Sequence, residues 1–180
     1  TVVVNGSGKT LRTITEGVTG RELGDVSTTA SDFAAQIAAG DAAYQLPVEE
    51  VDFATTSLER LIEVDLSAQR VYMRENGKVV DSWSVSTGKF GTDTDTGRYT
   101  VGWKTTSQNM GRKDLTVRPH YYQPNVKWVM YFNGDQALHG VYWHSNWGTR
   151  MSHGCVGMPE SRSKQLYEWS PQGVEVTIRK

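Results

Sequence analysis

The chain has 180 residues, 37% hydrophobic and 10% aromatic, with 19 Lys and Arg against 20 Asp and Glu. That composition supplies a packed core and excludes intrinsic disorder, and a net charge of −1 gives no electrostatic case for nucleic acid as the main partner. One cysteine excludes an intrachain disulfide, and no apolar run approaches the ~18 residues needed to span a bilayer. Charge is uneven: residues 1–55 carry three basic and eight acidic side chains, residues 56–180 sixteen and twelve. The mildly basic part suits an anionic substrate as well as ordinary solvation. No signal-peptide pattern stands at Thr1, and the strand-like opening Thr1-Val2-Val3-Val4 reads as a piece of a longer precursor whose export or anchoring segment lies outside it.

Along the chain, Asn5-Gly6-Ser7-Gly8-Lys9-Thr10 superficially matches a phosphate-binding loop but has Val3 where the pattern requires glycine, so a hairpin turn explains it. Phe33 and Ile37 share a face of a short helix over 31–39, capped by Ser31 and ended by Gly40. Residues 45–56, with Pro47 and Glu49-Glu50, read as an extended linker, which places a domain boundary near 56: a small α+β segment over 1–56 and a second domain over 57–180. In the second domain the pattern turns to strands. Leu61 to Leu66 alternates in part, Asn76-Gly77 joins Val71-Tyr72-Met73 to Val79-Val80, and Trp83 to Ser86 continues that arm. Val126, Trp128, Met130 and Phe132 alternate before a turn at Asn133-Gly134, and Gln136-Ala137-Leu138 leads out to His139 at a strand end. A helix over 160–169 carries Leu166 and Trp169 on one face, and Gly173 releases a last strand, Val174 to Ile178. The fold class is mostly β, an antiparallel sandwich or open barrel with one or two short helices.

The chemistry concentrates at Ser152-His153-Gly154-Cys155. A lone cysteine is ordinarily a small buried hydrophobe. Cys155, however, follows a glycine and sits between polar residues and Pro159, as a loop residue would, and loops on rigid scaffolds hold catalytic groups. The thiolate is the reactive form and an unperturbed thiol titrates near ~8.5, so a nucleophilic cysteine needs a base; His153 and His139 are both available. On the residues alone, inert and nucleophilic readings both stand.

Leu138-His139-Gly140 and Ser152-His153-Gly154-Cys155-Val156 together resemble the signature of the L,D-transpeptidases, the YkuD-type catalytic domain of bacterial cell-wall enzymes. The resemblance spans roughly residues 58–180 and includes Val85-Ser86-Thr87-Gly88 and the turn Thr94-Asp95-Thr96-Gly97. It implies a cysteine acyl-enzyme acting on tetrapeptide stems of peptidoglycan, releasing D-alanine and forming 3-3 cross-links, with carbapenem β-lactams as covalent inhibitors. By residue matching, Cys155 is the nucleophile and His139 the base, its other ring nitrogen held by a backbone carbonyl. His153 and the backbone at Gly154 and Gly140 belong to the oxyanion site. Tyr142, Trp143 and Trp147 in the aromatic loop, with Arg150 and Ser152, are substrate residues in the same scheme. Two departures stand out: Gly157 replaces an Asn or Arg that would brace the active loop, and Asp95 replaces a proline. Within residues 1–56, Gly20-Arg21-Glu22-Leu23 and Leu46-Pro47-Val48 resemble part of a peptidoglycan-binding module, with a plain spacer as the alternative. The implied location is extracytoplasmic, in the cell envelope, anchored or secreted.

Rival readings use the same residues. His139, His144, His153 and Cys155 are zinc-ligand types, yet no Cys-x-x-Cys or His-x-x-x-His pair supports them, and no metal or other cofactor is expected. Water as acceptor would make an L,D-carboxypeptidase, and a decayed site would leave a wall-binding protein.

Overall fold

The apolar alternation of the sequence becomes the inner faces of two β-sheets in a computed structural model that describes every residue except Asp41, Ala42 and Tyr44. Strands β1 (Val2–Val4) and β2 (Thr10–Thr13) form a hairpin whose turn is organised by Asn5: its Oδ1 accepts the N–H groups of Ser7 and Lys9 at 3.2 and 2.9 Å. Next come β3 (Gly20–Leu23), α1 (Thr29–Ala38) and β4 (Val48–Val51). The remaining strands are β5 (Ser57–Asp65), β6 (Arg70–Glu75), β7 (Lys78–Ser84), β8 (Gly97–Thr100), β9 (Trp103–Gly111), β10 (Tyr122–Asn133), β11 (Gln136–Val141) and β12 (Val156–Pro159), then helix α2 (Glu160–Trp169) and β13 (Glu175–Arg179).

Two compact units result, one of Thr1 with residues 15–56, the other of residues 2–14 with 57–180. The sequence reading put a boundary near residue 56 with all of residues 1–56 on one side, whereas residues 2–14 pack within the larger unit. Val3 and Val4 are buried because β1 runs parallel to β5, Val3 opposite Leu58, so the hydrophobic gain of the Val2-Val3-Val4 run is taken in the larger unit. In the smaller unit, β3 pairs antiparallel with β4, so residues 48–51 are a strand and not linker. Helix α1 starts two residues earlier than read: Thr28 is its N-cap, and Ser31 Oγ donates to Thr28 O at 2.7 Å from inside the helix. Gly40, at φ +90°, ends it.

In the larger unit, a seven-stranded sheet runs β2-β1-β5-β13-β8, with β6 and β7 continuing from the other edge of β5; a four-stranded sheet runs β12-β11-β10-β9. Three pairings, β1 with β5, β13 with β5 and β11 with β12, are parallel, so the sheets are mixed where an antiparallel architecture was read. The core lies between them: Ile62, Val64, Val71 and Trp83 from one sheet meet Met130, Phe132, Leu138, Val156 and Met158 from the other, with Leu166 of α2. The alternation read through β10 breaks at Trp128, whose φ of +54° shifts the phase. Val126 and Val129 then bury with Met110 and Ala137 in a second, small cluster, against which Cys155 packs. Helix α2 is held at its C-terminal end by Lys104, whose Nζ donates to the Tyr167 carbonyl at 2.5 Å and to that of Ser170, occupying acceptors that a helix end leaves open.

Candidate active site

Cys155 stands immediately before β12 and is half-buried, neither sealed in the interior nor fully in solvent. Its Sγ donates to the Asp135 carbonyl at 3.6 Å. Burial pushes the thiol up to about 11; a hydrogen bond from the Ala137 backbone opposes the shift and the Asp135 carboxylate adds to it.

His139 lies inside β11, not at its end, and is 4% exposed. Its Nδ1 is 2.9 Å from the Gly140 carbonyl. Burial pulls the ring down to about 4, His144 pushing the same way and the bond to Gly140 opposing it. A carbonyl only accepts, so in the neutral ring Nδ1 carries the proton and Nε2 keeps its lone pair. The parallel pairing of β11 with β12 sets Leu138 against Val156 and His139 against Gly157, which brings His139 beside the strand that Cys155 immediately precedes. Among the described residues, the thiol's hydrogen bonds run to Asp135 and Ala137 rather than to His139.

The loop that carries Cys155 is braced from several sides. Ser152 Oγ donates to the Cys155 carbonyl and accepts the Gly154 N–H at 3.2 Å. Thr94, from the turn before β8, accepts the Gly88 N–H at 2.9 Å and donates to the Gly154 carbonyl at 2.8 Å, linking two loops through one buried hydroxyl. Gly154 adopts φ +119°, a left-handed conformation that favours glycine. Its N–H is thus already committed to Ser152, and Gly140 contributes a carbonyl to His139. The first fact takes the Gly154 N–H out of use as an oxyanion donor in this state; the second concerns a carbonyl and leaves the reading of the Gly140 N–H as it was. Rigidity does not depend on a side chain at Gly157, because Ser86 and Gly157 exchange backbone N–H···O bonds of 2.8 Å in both directions.

Two cavities meet at the thiol. One, of about 110 Å³, is lined by His139, Trp143, Ser152, His153 and Cys155 together with Ser86, Tyr121 and Gly157. The other, of about 750 Å³, reaches the same sulfur past Arg112, Arg118, Tyr131 and Asp135. His153 and Tyr121 line both, their rings stacked at 4.7 Å between centroids, and the His153 ring is held below its usual range by burial and by Lys89. Of the predicted residues, Tyr142, Trp147 and Arg150 line neither cavity. The Tyr142 hydroxyl donates to the Pro124 carbonyl at 2.8 Å, Trp147 packs on His144, and Arg150 is ion-paired with Asp93 along a separate groove. Trp143 does line the cavity, its ring 5.9 Å from that of His139. Sequence reading missed Ser86, Met110, Tyr121 and Met151, which arrive from separate strands and loops. Among the described residues, no three His, Cys, Asp or Glu side chains converge as a metal site.

The sequence matches the L,D-transpeptidase catalytic domain family, YkuD, over residues 59–178. No curated protein matches the chain. Similar solved structures include an L,D-transpeptidase from Mycobacterium smegmatis, 20% identical with a TM-score of 0.64 over 73% of this chain and 63% of that one. A cysteine-to-serine mutant of the Enterococcus faecium L,D-transpeptidase is 25% identical with a TM-score of 0.60 over 88% and 66%. L,D-transpeptidase 3 from Mycobacterium tuberculosis, in complex with a faropenem-derived adduct, is 20% identical with a TM-score of 0.62 over 75% and 66%. The chain spans less than two thirds of the length of each.

Proposed function

Since the chain belongs to the L,D-transpeptidase catalytic domain family, we propose that it transfers acyl groups between peptidoglycan stems, with Cys155 as nucleophile and His139 as base. Cys155 Sγ attacks the carbonyl that links the diamino acid to the terminal D-alanine; an S–C bond forms, the C–N bond breaks, and the thiol proton passes through His139 Nε2 to the departing amine. The amine of a second stem then attacks the thioester and gives its proton to His139. The thiol is regenerated and a 3-3 cross-link is left, a contribution to wall organisation and cell shape. At neutral pH both partners start uncharged, so the proton moves as the sulfur attacks. The sulfur must first rotate from Asp135 toward the cavity that His139 lines.

The observation that carries this reading is the exposure of one sulfur to two cavities, which suits a reaction with an acyl donor and a separate acceptor. Water as the acceptor would make the same site an L,D-carboxypeptidase. A decayed wall-binding protein is disfavoured by the intact histidine pair and the bracing of the Cys155 loop. Solved relatives in complex with imipenem and as an avibactam carbamoyl enzyme support carbapenems and related inhibitors as covalent ligands of Cys155. On this reading the protein works outside the cytoplasm, in the cell envelope, anchored or secreted. Incubation with defined tetrapeptide stems, followed by product masses, tests the proposal: a cross-linked dimer supports it, tripeptide alone assigns carboxypeptidase action, and no product overturns it.

A further inference from the structure

The smaller cavity holds one polar group that the chemistry above leaves unused. Ser86 is 1% exposed and lines the 110 Å³ cavity, and among the described residues its Oγ has no hydrogen-bond partner. A buried hydroxyl left unpaired by the protein costs stability, and a ligand entering the cavity would supply the missing partner.

Its position is fixed by the backbone. Ser86 is bridged to Gly157, and Gly157 is also the register partner of His139. Paired residues on neighbouring strands turn their side chains to one face, so Ser86 and His139 flank the single residue between them that has no side chain. Cys155 stands two residues before Gly157, roughly 6–7 Å along the chain. Next to Ser86, Thr87 is clamped by Gln69, whose Oε1 accepts the Thr87 N–H at 3.1 Å and whose Nε2 donates to Thr87 Oγ1 at 2.7 Å. A β-carbon at position 157 would stand 3.1 Å from Ser86 Oγ and 2.7 Å from Val141 Cγ2. Glycine at 157 therefore leaves the space beside the hydroxyl unfilled by a side chain.

We infer that Ser86 Oγ binds a neutral peptide amide of the acyl donor, about one residue removed from the bond that Cys155 attacks. The inference rests on the acyl-transfer reading above. The cavity is lined by no Asp, Glu, Lys or Arg among the described residues, and its three histidines, His139, His144 and His153, are each held below the usual range by burial. A carboxylate or ammonium would enter with no opposite charge to meet it, whereas a hydroxyl can accept from an amide N–H or donate to its carbonyl.

Ser86→Ala removes the hydroxyl with little change of volume and strands no protein partner. With a tetrapeptide stem as donor, the variant is expected to lose about tenfold in kcat/KM, carried by a raised KM. Its melting temperature should equal or exceed that of the wild type, and iodoacetamide should alkylate Cys155 at the wild-type rate. An unchanged kcat/KM overturns the inference and leaves the acyl-transfer reading standing. A loss accompanied by a lower melting temperature or altered alkylation assigns Ser86 a structural role and also overturns it. A wild type that the stem does not acylate removes the acyl-transfer reading first, and this inference with it.

Discussion

Cys155 and His139 are neutral at pH 7 in the free protein, the thiol raised to about 11 and the imidazole lowered to about 4, both chiefly by burial. A preformed thiolate–imidazolium pair is thereby disfavoured, so in the proposed mechanism His139 takes the proton only when substrate is in place. Iodoacetamide alkylation of Cys155 should accordingly climb with pH through neutrality, with no plateau below pH 9. His139→Ala should leave that profile in place while slowing acylation by a stem on the order of 10²–10⁴-fold. A plateau near pH 6 to 7 that disappears in the variant would instead reveal an ion pair. Cys155 and His139 stood out in the sequence because each sits in a short run of unusual residues, and both line the smaller cavity. Tyr142, Trp147 and Arg150 were misplaced because closeness along the chain does not fix direction: Trp143 turns to the cavity while Tyr142 bonds Pro124 and Arg150 bonds Asp93. Ser86 and Tyr121 were missed because each joins the site only through pairing between segments distant in sequence.

The elements set the site by register. The parallel pairing of β11 with β12 places His139 beside Gly157, two residues after Cys155, and the turn before β8 contributes Thr94 as the tie between the Gly88 and Gly154 loops. Thr94→Val keeps the shape of the side chain but leaves the Gly88 N–H and the Gly154 carbonyl without this partner. We expect a loss of about 1–3 kcal/mol in denaturant unfolding, together with slower acylation, since Gly154 directly precedes the proposed nucleophile, Cys155. Wild-type stability and rate in this variant would show that the loop is held elsewhere. Hairpin signals at Asn76-Gly77 and Asn133-Gly134 were readable from turn chemistry. The parallel partners of β5 and β11 were not, because such pairing joins residues far apart in sequence and leaves no local signature. Trp128 hid a phase shift that alternation alone does not announce.

For the whole molecule, burial of a neutral His139 couples folding to pH. Its folded value of about 4 lies below the 6.5 of an exposed ring, so between those limits the unfolded chain binds more protons. Stability from this group is complete above pH 6.5 and falls as pH drops toward 4, by on the order of 3 kcal/mol. His144 and His153, also lowered, act in the same direction. Denaturant midpoints across this range should show the decline, and His139→Gln should flatten it; an unchanged slope would contradict the burial argument. The hairpin of residues 2–14 packs in the same compact unit as residues 57–180, so residues 57–180 alone should be less stable than the full chain, having lost the partners of Val3 and Val4.

The account turns on one sulfur, and intact-protein mass after exposure to a carbapenem interrogates it directly. The wild type should gain the mass of a single drug molecule, Cys155→Ala should gain none, and His139→Ala should acquire the adduct far more slowly. An unmodified wild type, or an adduct that persists in Cys155→Ala, would contradict it.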